Sequence, residues 1–219
     1  KHALMSPAVA DQPAFATLQI VLGFLIVAGL ALTPAVLGAL ALSIGALILH
    51  PTLLDNLEII TGLLAILLLG QPKPGLDDLI GLPMSSFSDK VKRWVPFILR
   101  LGLGGSLVLM SINDKIMNPH LFGSVIENFG LNQALPLSVG MWVVSAALVE
   151  LALGLALLLG LQTRIVSAVT FLVLTLSFFF FGEDVYAHVT VFGTLFVLII
   201  MGGGHLSLDD VYAKRRQRA

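Results

Sequence analysis

The chain has 219 residues, of which 57% are apolar and 11% charged, with 12 basic against 13 acidic side chains and a formal net charge of −1. Soluble domains carry about 25% charged residues, so charge cannot keep this surface in water, and a mean hydropathy of +0.99 points to lipid. The near-neutral balance argues against nucleic acid as a partner, and the lack of cysteine excludes disulfides, thiol redox chemistry, and cysteine-ligated iron–sulfur or haem-thioether centres.

Lys1 to Pro13 is polar and lacks the basic-then-apolar order of a signal peptide. Apolar runs then predict spans at Phe15–Leu32, Ala35–Leu49 and Leu53–Leu69. A proline-containing linker follows, in which Ser85–Trp94 (SSFSDKVKRW) reads as an amphipathic interfacial stretch. Four further spans are predicted at Trp94–Met110, Leu137–Leu159, Ile165–Phe181 and Val185–Met201. Each approaches the length that covers roughly 30 Å of hydrocarbon at about 1.5 Å per residue. Pro34, Pro51, Pro72, Pro83, Pro119 and Pro136 fall at helix boundaries, and Pro96 in a first turn, where its missing N–H does no harm. The runs are too long and too rich in Leu and Ala for barrel strands, and an open sheet cannot survive in lipid. The predicted fold class is therefore all-α: a polytopic transmembrane helix bundle with seven spans.

With the C-terminus cytoplasmic, Lys73, Lys90, Lys92, Arg93, Arg164, Lys214, Arg215, Arg216 and Arg218 lie inside, with Arg100 just within the membrane there. Only Lys1 and Lys115 fall outside. The positive-inside rule selects that orientation in a cell membrane.

Thr17–Asp78 lines up with Leu148–Asp210. Gly23 falls over Gly154, Gly29 over Gly160 and Gly62 over Gly193, and GLDD at Gly75–Asp78 over SLDD at Ser207–Asp210, one residue further on. The last three spans thus repeat the first three, in parallel orientation. The predicted organisation is a first repeat at 1–78, a cytoplasmic linker at 79–93, a second repeat at 94–210 and a basic tail at 211–219. Trp94–Met110 is an extra leading helix in the second repeat. Its counterpart would precede Lys1, and Lys1…Ser6-Pro7 matches Lys115…Asn118-Pro119. The expectation is an eighth helix in the full gene.

Arg100-Leu101-Gly102, Asn113-Asp114-Lys115, Asn118-Pro119, Glu150-Leu151 with Gly154, and Gly204…Ser207-Leu208-Asp209 together resemble the DoxX/DoxD family of four-helix membrane proteins. The resemblance covers Arg100 to Asp209. The first half resembles a degenerate copy, with Gln19 where the second has Glu150. Some members of that family look like the membrane part of thiosulfate:quinone oxidoreductase, so the resemblance implies a quinone-linked role.

Glu150 stands near mid-span, where an ionised carboxylate costs at least ~3 kcal/mol unless it is paired, protonated or facing a cavity. Arg100 is its expected partner. The pair reads either as a clamp between helices or as the anchor of a quinone head group, which needs a hydrogen-bond donor and a proton source. At the outer mouth, Asn113, Asp114, Lys115, His120, Glu183, Asp184, Tyr186 and His188 are expected to converge. The cofactor-facing set is therefore Arg100, Glu150, Asn113, Lys115 and His188. His50, His120 and His188 are outer and His205 inner, which does not suit a bis-histidine haem. No metal site and no covalent cofactor are expected.

No redox centre is visible in the chain, and its polar loops are too small for a catalytic domain. The expected function is an integral membrane subunit of a quinone-linked oxidoreductase or respiratory-type complex. The expected partners are the lipid bilayer and other protein subunits, and any catalysis would belong to the complex. A non-catalytic structural or assembly subunit is the alternative. A small-molecule transporter is less favoured, since Glu150 is taken as the single deep carboxylate and no broken helix with a polar centre is evident.

Overall fold

Backbone polar groups that enter lipid must bond within their own segment, and all regular structure among the described residues is helical. The computed structural model describes residues 13–70, 75–81, 88–131, 137–181 and 188–216. The helices are α1 (Pro13–Ala28), α2 (Leu32–Leu49), α3 (Leu57–Leu69), α4 (Leu76–Leu79), α5 (Asp89–Lys92), α6 (Val95–Met110), α7 (Pro119–Asn128), α8 (Val139–Leu159), α9 (Thr163–Phe181), α10 (Val189–Met201) and α11 (Leu208–Arg216). A 3₁₀ turn at Pro51–Asn56 leads into α3, and a π-helical segment at Ser111–Met117 extends α6.

Leu32–Leu49, Pro51–Leu69, Asp89–Met117 and Val139–Leu159 are long and apolar enough to cross a membrane, and Ala14–Ala28, Thr163–Ser177 and Val189–Met201 are shorter apolar helices. This is an all-α, multi-pass membrane bundle. Large apolar side chains point outward, among them Ile20 at 73% exposed, Phe24 at 72% and Val27 at 89%. Such a surface is stable against acyl chains and not against water.

The boundaries differ from the sequence-based expectation at specific places. The first span ends at Ala28 rather than Leu32, because Gly29 and Ala31 adopt positive φ and turn the chain into α2. Pro34 therefore lies inside the first turn of α2. The interfacial stretch is helical only over Asp89–Lys92, capped by the Ser88 hydroxyl, which accepts from Lys90 N–H at 3.2 Å. α7 is amphipathic and too short to span, so no long apolar run marks it in the sequence. Lys73, Ser85 to Phe87, Glu183, Asp184, Tyr186 and Arg218 lie outside the described residues.

α6 is the centre of the bundle and packs on α3, α8 and α10. Its Val95, Leu99, Leu103 and Leu107 form one core with Ala65, Leu157, Leu195 and Leu198. In lipid the hydrophobic effect does not drive helices together, so close approach by small residues takes over. A methyl added at Gly104 would stand 2.8 Å from the Gly154 carbonyl oxygen, and one at Gly154 would stand 3.0 Å from that of Gly104. The two backbones touch there. A methyl at Gly102 would overlap the Thr61 side chain of α3. Gly104→Ala is expected to destabilise the bundle by about 1–3 kcal/mol through overpacking, read as a lowered unfolding temperature in detergent.

Two corners of the bundle are built alike. The Asp77 carboxylate accepts from Ala31 N–H at 2.7 Å and Leu32 N–H at 3.2 Å, while Asp77 N–H donates to the Gly29 carbonyl at 3.1 Å. The Asp209 carboxylate accepts from Gln162 N–H at 2.7 Å and Thr163 N–H at 2.9 Å, while Asp209 N–H donates to the Gly160 carbonyl at 3.1 Å. The backbone turns match as well: φ is 62° at Gly29 and 65° at Gly160, and 49° at Ala31 and 43° at Gln162. Each aspartate satisfies the first free N–H groups of the next helix and meets the positive end of its dipole. Asp209→Ala is expected to lower stability by about 1–2 kcal/mol, the usual cost of losing a cap, with Asp209→Asn recovering part of it in the same thermal assay.

Trp94 stacks on His205 with ring centroids 5.7 Å apart. That contact puts the Lys90–Arg93 segment and the start of α11 at the same end of the bundle as both aspartate corners. His50, Asp55, the π-helical segment and His188 gather at the other end.

Candidate functional site

Glu150 is the twelfth residue of α8, roughly 16 Å along its axis from the Val139 end. The structure does not pair it with Arg100. Lys115 Nζ lies 2.6 Å from Glu150 Oε2, with the two side chains 9% and 14% exposed. Lys115 comes from the π-helical segment, and its flexible stem carries the ammonium inward from the end of α6. The π-helical winding sets the side chains of Asn113, Asp114 and Lys115 at a phase that an unbroken α-helix would not give, and such segments are frequent at functional positions. The ammonium also sits 4.9 Å from the Phe122 ring centroid on α7, a cation–π contact.

The cluster continues toward α3. Asn113 Nδ2 donates to Asp55 Oδ1 at 3.0 Å, and Asn118 Nδ2 donates to the Asn113 carbonyl at 2.8 Å. Asp55 and Asp114 are near enough to act electrostatically on Glu150. Ser111 Oγ, fully buried, donates to the Ala147 carbonyl at 2.8 Å and fixes the start of the π-helical segment against α8.

One turn beyond Asp55 lies Glu58, a side chain the sequence reading passed over. Leu53–Leu69 was expected to be an apolar span, and Glu150 the single deep carboxylate. Glu58 is 4% exposed and accepts a 2.6 Å hydrogen bond from Ser106 Oγ of α6, while its own N–H donates to Ser106 Oγ at 3.3 Å. His188, the residue immediately before α10, interacts electrostatically with Glu58. The signal that could have found Glu58 was in plain view: an acidic residue one helical turn after Asp55 inside an otherwise apolar run.

Arg100 is placed elsewhere. It is fully enclosed, and its guanidinium donates only to backbone carbonyls: Nη1 to Leu157 at 3.4 Å and Leu158 at 3.2 Å, Nη2 to His205 at 3.0 Å and Leu206 at 3.2 Å. It ties the end of α8 to the turn before α11. The positive charge there meets the negative end of the α8 dipole. Gly160 gives the guanidinium room, since an added methyl would overlap it. Of the expected cofactor-facing set, the structure gathers Glu150, Lys115 and Asn113, sets His188 beside Glu58, and separates Arg100 from all of them.

A cavity of about 450 Å³ opens between α1, α2, α3 and α10, with Leu99 of α6 at its wall and an almost wholly apolar lining in which Gln19, Ser43, Glu58, Thr190 and Thr194 are the polar members. Glu58 therefore lies between the polar cluster and this cavity. Among the described residues, no three His, Asp or Glu side chains come together as a metal site would require.

No match was found among curated proteins or among solved structures. The DoxX family model matches residues 95–183, the stretch that runs from α6 through α8 and α9 and holds Arg100, Asn113, Lys115 and Glu150, so the likeness covers part of the chain and is consistent with a DoxX-like membrane protein.

Proposed function

We propose that this chain is an integral membrane subunit of a quinone-linked oxidoreductase, with its polar cluster facing a quinone head group. The observation that carries this reading is the Lys115–Glu150 pair at 2.6 Å, held inside a lipid-spanning bundle and left slightly accessible. Ionisable groups at such depth are costly and tend to mark ion or substrate sites. The donor set fits a quinone. The Lys115 ammonium offers hydrogen bonds to a carbonyl oxygen, Asn113 fixes the segment that carries Lys115, and the Glu150 carboxyl can take up or release a proton at Oε2. A quinone, when bound, supplies the electron-accepting chemistry. The chain's own residues orient it and handle protons, and partner subunits bring the electron donor. The DoxX match over 95–183 supports the family side of this reading.

The same proposal includes two DoxX-like units in tandem, supported by the matching Asp77 and Asp209 corners, and a cytoplasmic C-terminus, supported by the basic residues grouped near Trp94 and α11. Arg100 favours a second reading for its own end of the bundle. With every described bond of its guanidinium going to carbonyl oxygens, it acts there as a clamp, as in a structural subunit.

Purification from native membranes in mild detergent, followed by solvent extraction, tests the proposal. About one quinone per chain is expected, together with co-purifying redox subunits. A chain that carries neither contradicts it.

A further inference from the structure

Reduction of a quinone takes up two protons with two electrons, and the Glu150 carboxyl holds one at most. A proton-handling Glu150 must therefore be reloaded within each turnover. The way toward the Arg100 end runs through the apolar core of Leu99, Leu103, Leu107 and Leu157, side chains that cannot carry a proton. Toward the other end, polar groups follow one another. Lys115 Nζ lies 2.6 Å from Glu150 Oε2, and two residues earlier on the π-helical segment Asn113 Nδ2 donates to Asp55 Oδ1 at 3.0 Å. Asp55 is half-buried in a 3₁₀ turn whose Pro51, Thr52, Leu54 and Asn56 are exposed. It acts electrostatically on both deep carboxyls, Glu150 and Glu58, whereas Asp114 acts on Glu150 and on Asp55 itself. Groups coupled in this way titrate as a set.

We propose that Asp55 is the proton port of the Lys115–Glu150 site, passing protons between the aqueous face at the His50 end and the Glu150 carboxyl. The inference rests on the reading of Glu150 as a proton-handling group. Only O–H bonds form and break: a proton from water is taken up at Asp55 Oδ2, Oδ1 being engaged by Asn113, and moves on to Glu150 after Glu150 has given up its own. Chains of carboxyl and imidazole groups within a membrane serve such relays. The other charged groups on the elements packed against α8 stand away from this route: His120 and Glu127 of α7 are exposed, and Arg100 of α6 and Arg164 of α9 are at the opposite end. Asp55 has Glu58 one turn beyond it on α3 and His50 just before its own turn, and His188 acts on Glu58. Glu58, held by Ser106 Oγ at 2.6 Å, is a side branch of the route.

A pH jump on the purified protein in detergent, without quinone, tests this by time-resolved infrared spectroscopy. The Glu150 carboxyl band is the one that Glu150→Gln removes, and its rate of appearance after a drop in pH is the readout. Asp55→Asn keeps an oxygen for the Asn113 amide and cannot carry a proton, and is expected to slow that rate at least tenfold. Asp55→Glu is expected to restore it to within about threefold of wild type, and Asp114→Asn to change the band's midpoint pH but leave the rate within about threefold. Asp55→Ser is measured in the same way in case the asparagine variant does not fold. A rate unaffected by loss of the Asp55 carboxyl overturns the proposal, as does equal slowing by Asp114→Asn, or a Glu150 band that does not respond to the jump. An unchanged rate in Asp55→Asn would leave the quinone reading standing. That reading fails separately if the protein binds no quinone while the Asp55 variants still slow the band.

Discussion

Arg100→Met is expected to cost about 3–5 kcal/mol of stability and to leave little folded protein after size-exclusion chromatography in detergent. The figure comes from the carbonyls left behind. Each buried acceptor without a donor costs roughly 1–3 kcal/mol, and the guanidinium serves those of Leu157, Leu158, His205 and Leu206. The Leu157 oxygen keeps the Gly160 N–H, so its share is small. Arg100→Lys is expected to rescue only a minor part. A point charge cannot present donors to α8 and to the turn before α11 at once, as a planar fork does. A variant that folds like the wild type would remove the clamp from the account.

The second large effect concerns Glu150. Glu150→Gln takes the counter-charge from a nearly buried ammonium, and is expected to lower quinone-linked turnover of the complex at least tenfold with the subunits still assembled. Lys115→Met strands the carboxyl instead. Breaking a buried pair from one side costs about 3–5 kcal/mol at full burial, and the slight exposure of both side chains places these variants at the lower end of that range. The double variant should regain part of the stability lost by either single change, with a coupling of about 0.5–3 kcal/mol, and none of the turnover. Recovery of stability without activity is the signature of a pair that does more than hold helices together.

Much of the fold was legible in the sequence because lipid imposes a single rule on the backbone. Apolar runs gave helices, and the ends of α3, α6, α8, α9 and α10 fell within a few residues of the expected positions. The repeated LDD pattern carried more than a turn signal. At Asp77 and Asp209 it became a carboxylate cap reaching back more than forty positions, which no local propensity encodes. The candidate site was legible in its residues and less so in its pairings. Lys115, Asn113 and Glu150 do gather, but depth along an ideal helix suggested Arg100 as the partner of Glu150. Two features defeated that estimate: the π-helical segment, which redirects Lys115 inward, and the chain turn at His205 and Leu206, whose carbonyls take the guanidinium. Glu58 was missed because an apolar average over Leu53–Leu69 absorbs a single carboxyl. The Ser106 hydroxyl on the neighbouring helix shows how that carboxyl is accommodated.

Titration of the purified protein in detergent with a short-chain quinone analogue addresses the Lys115–Glu150 site most directly. Saturable binding near one equivalent is predicted for the wild type, with at least tenfold weaker binding for a folded Glu150→Gln variant. Equal affinity in both proteins, or none in the wild type, would contradict the assignment of that ion pair to ligand recognition.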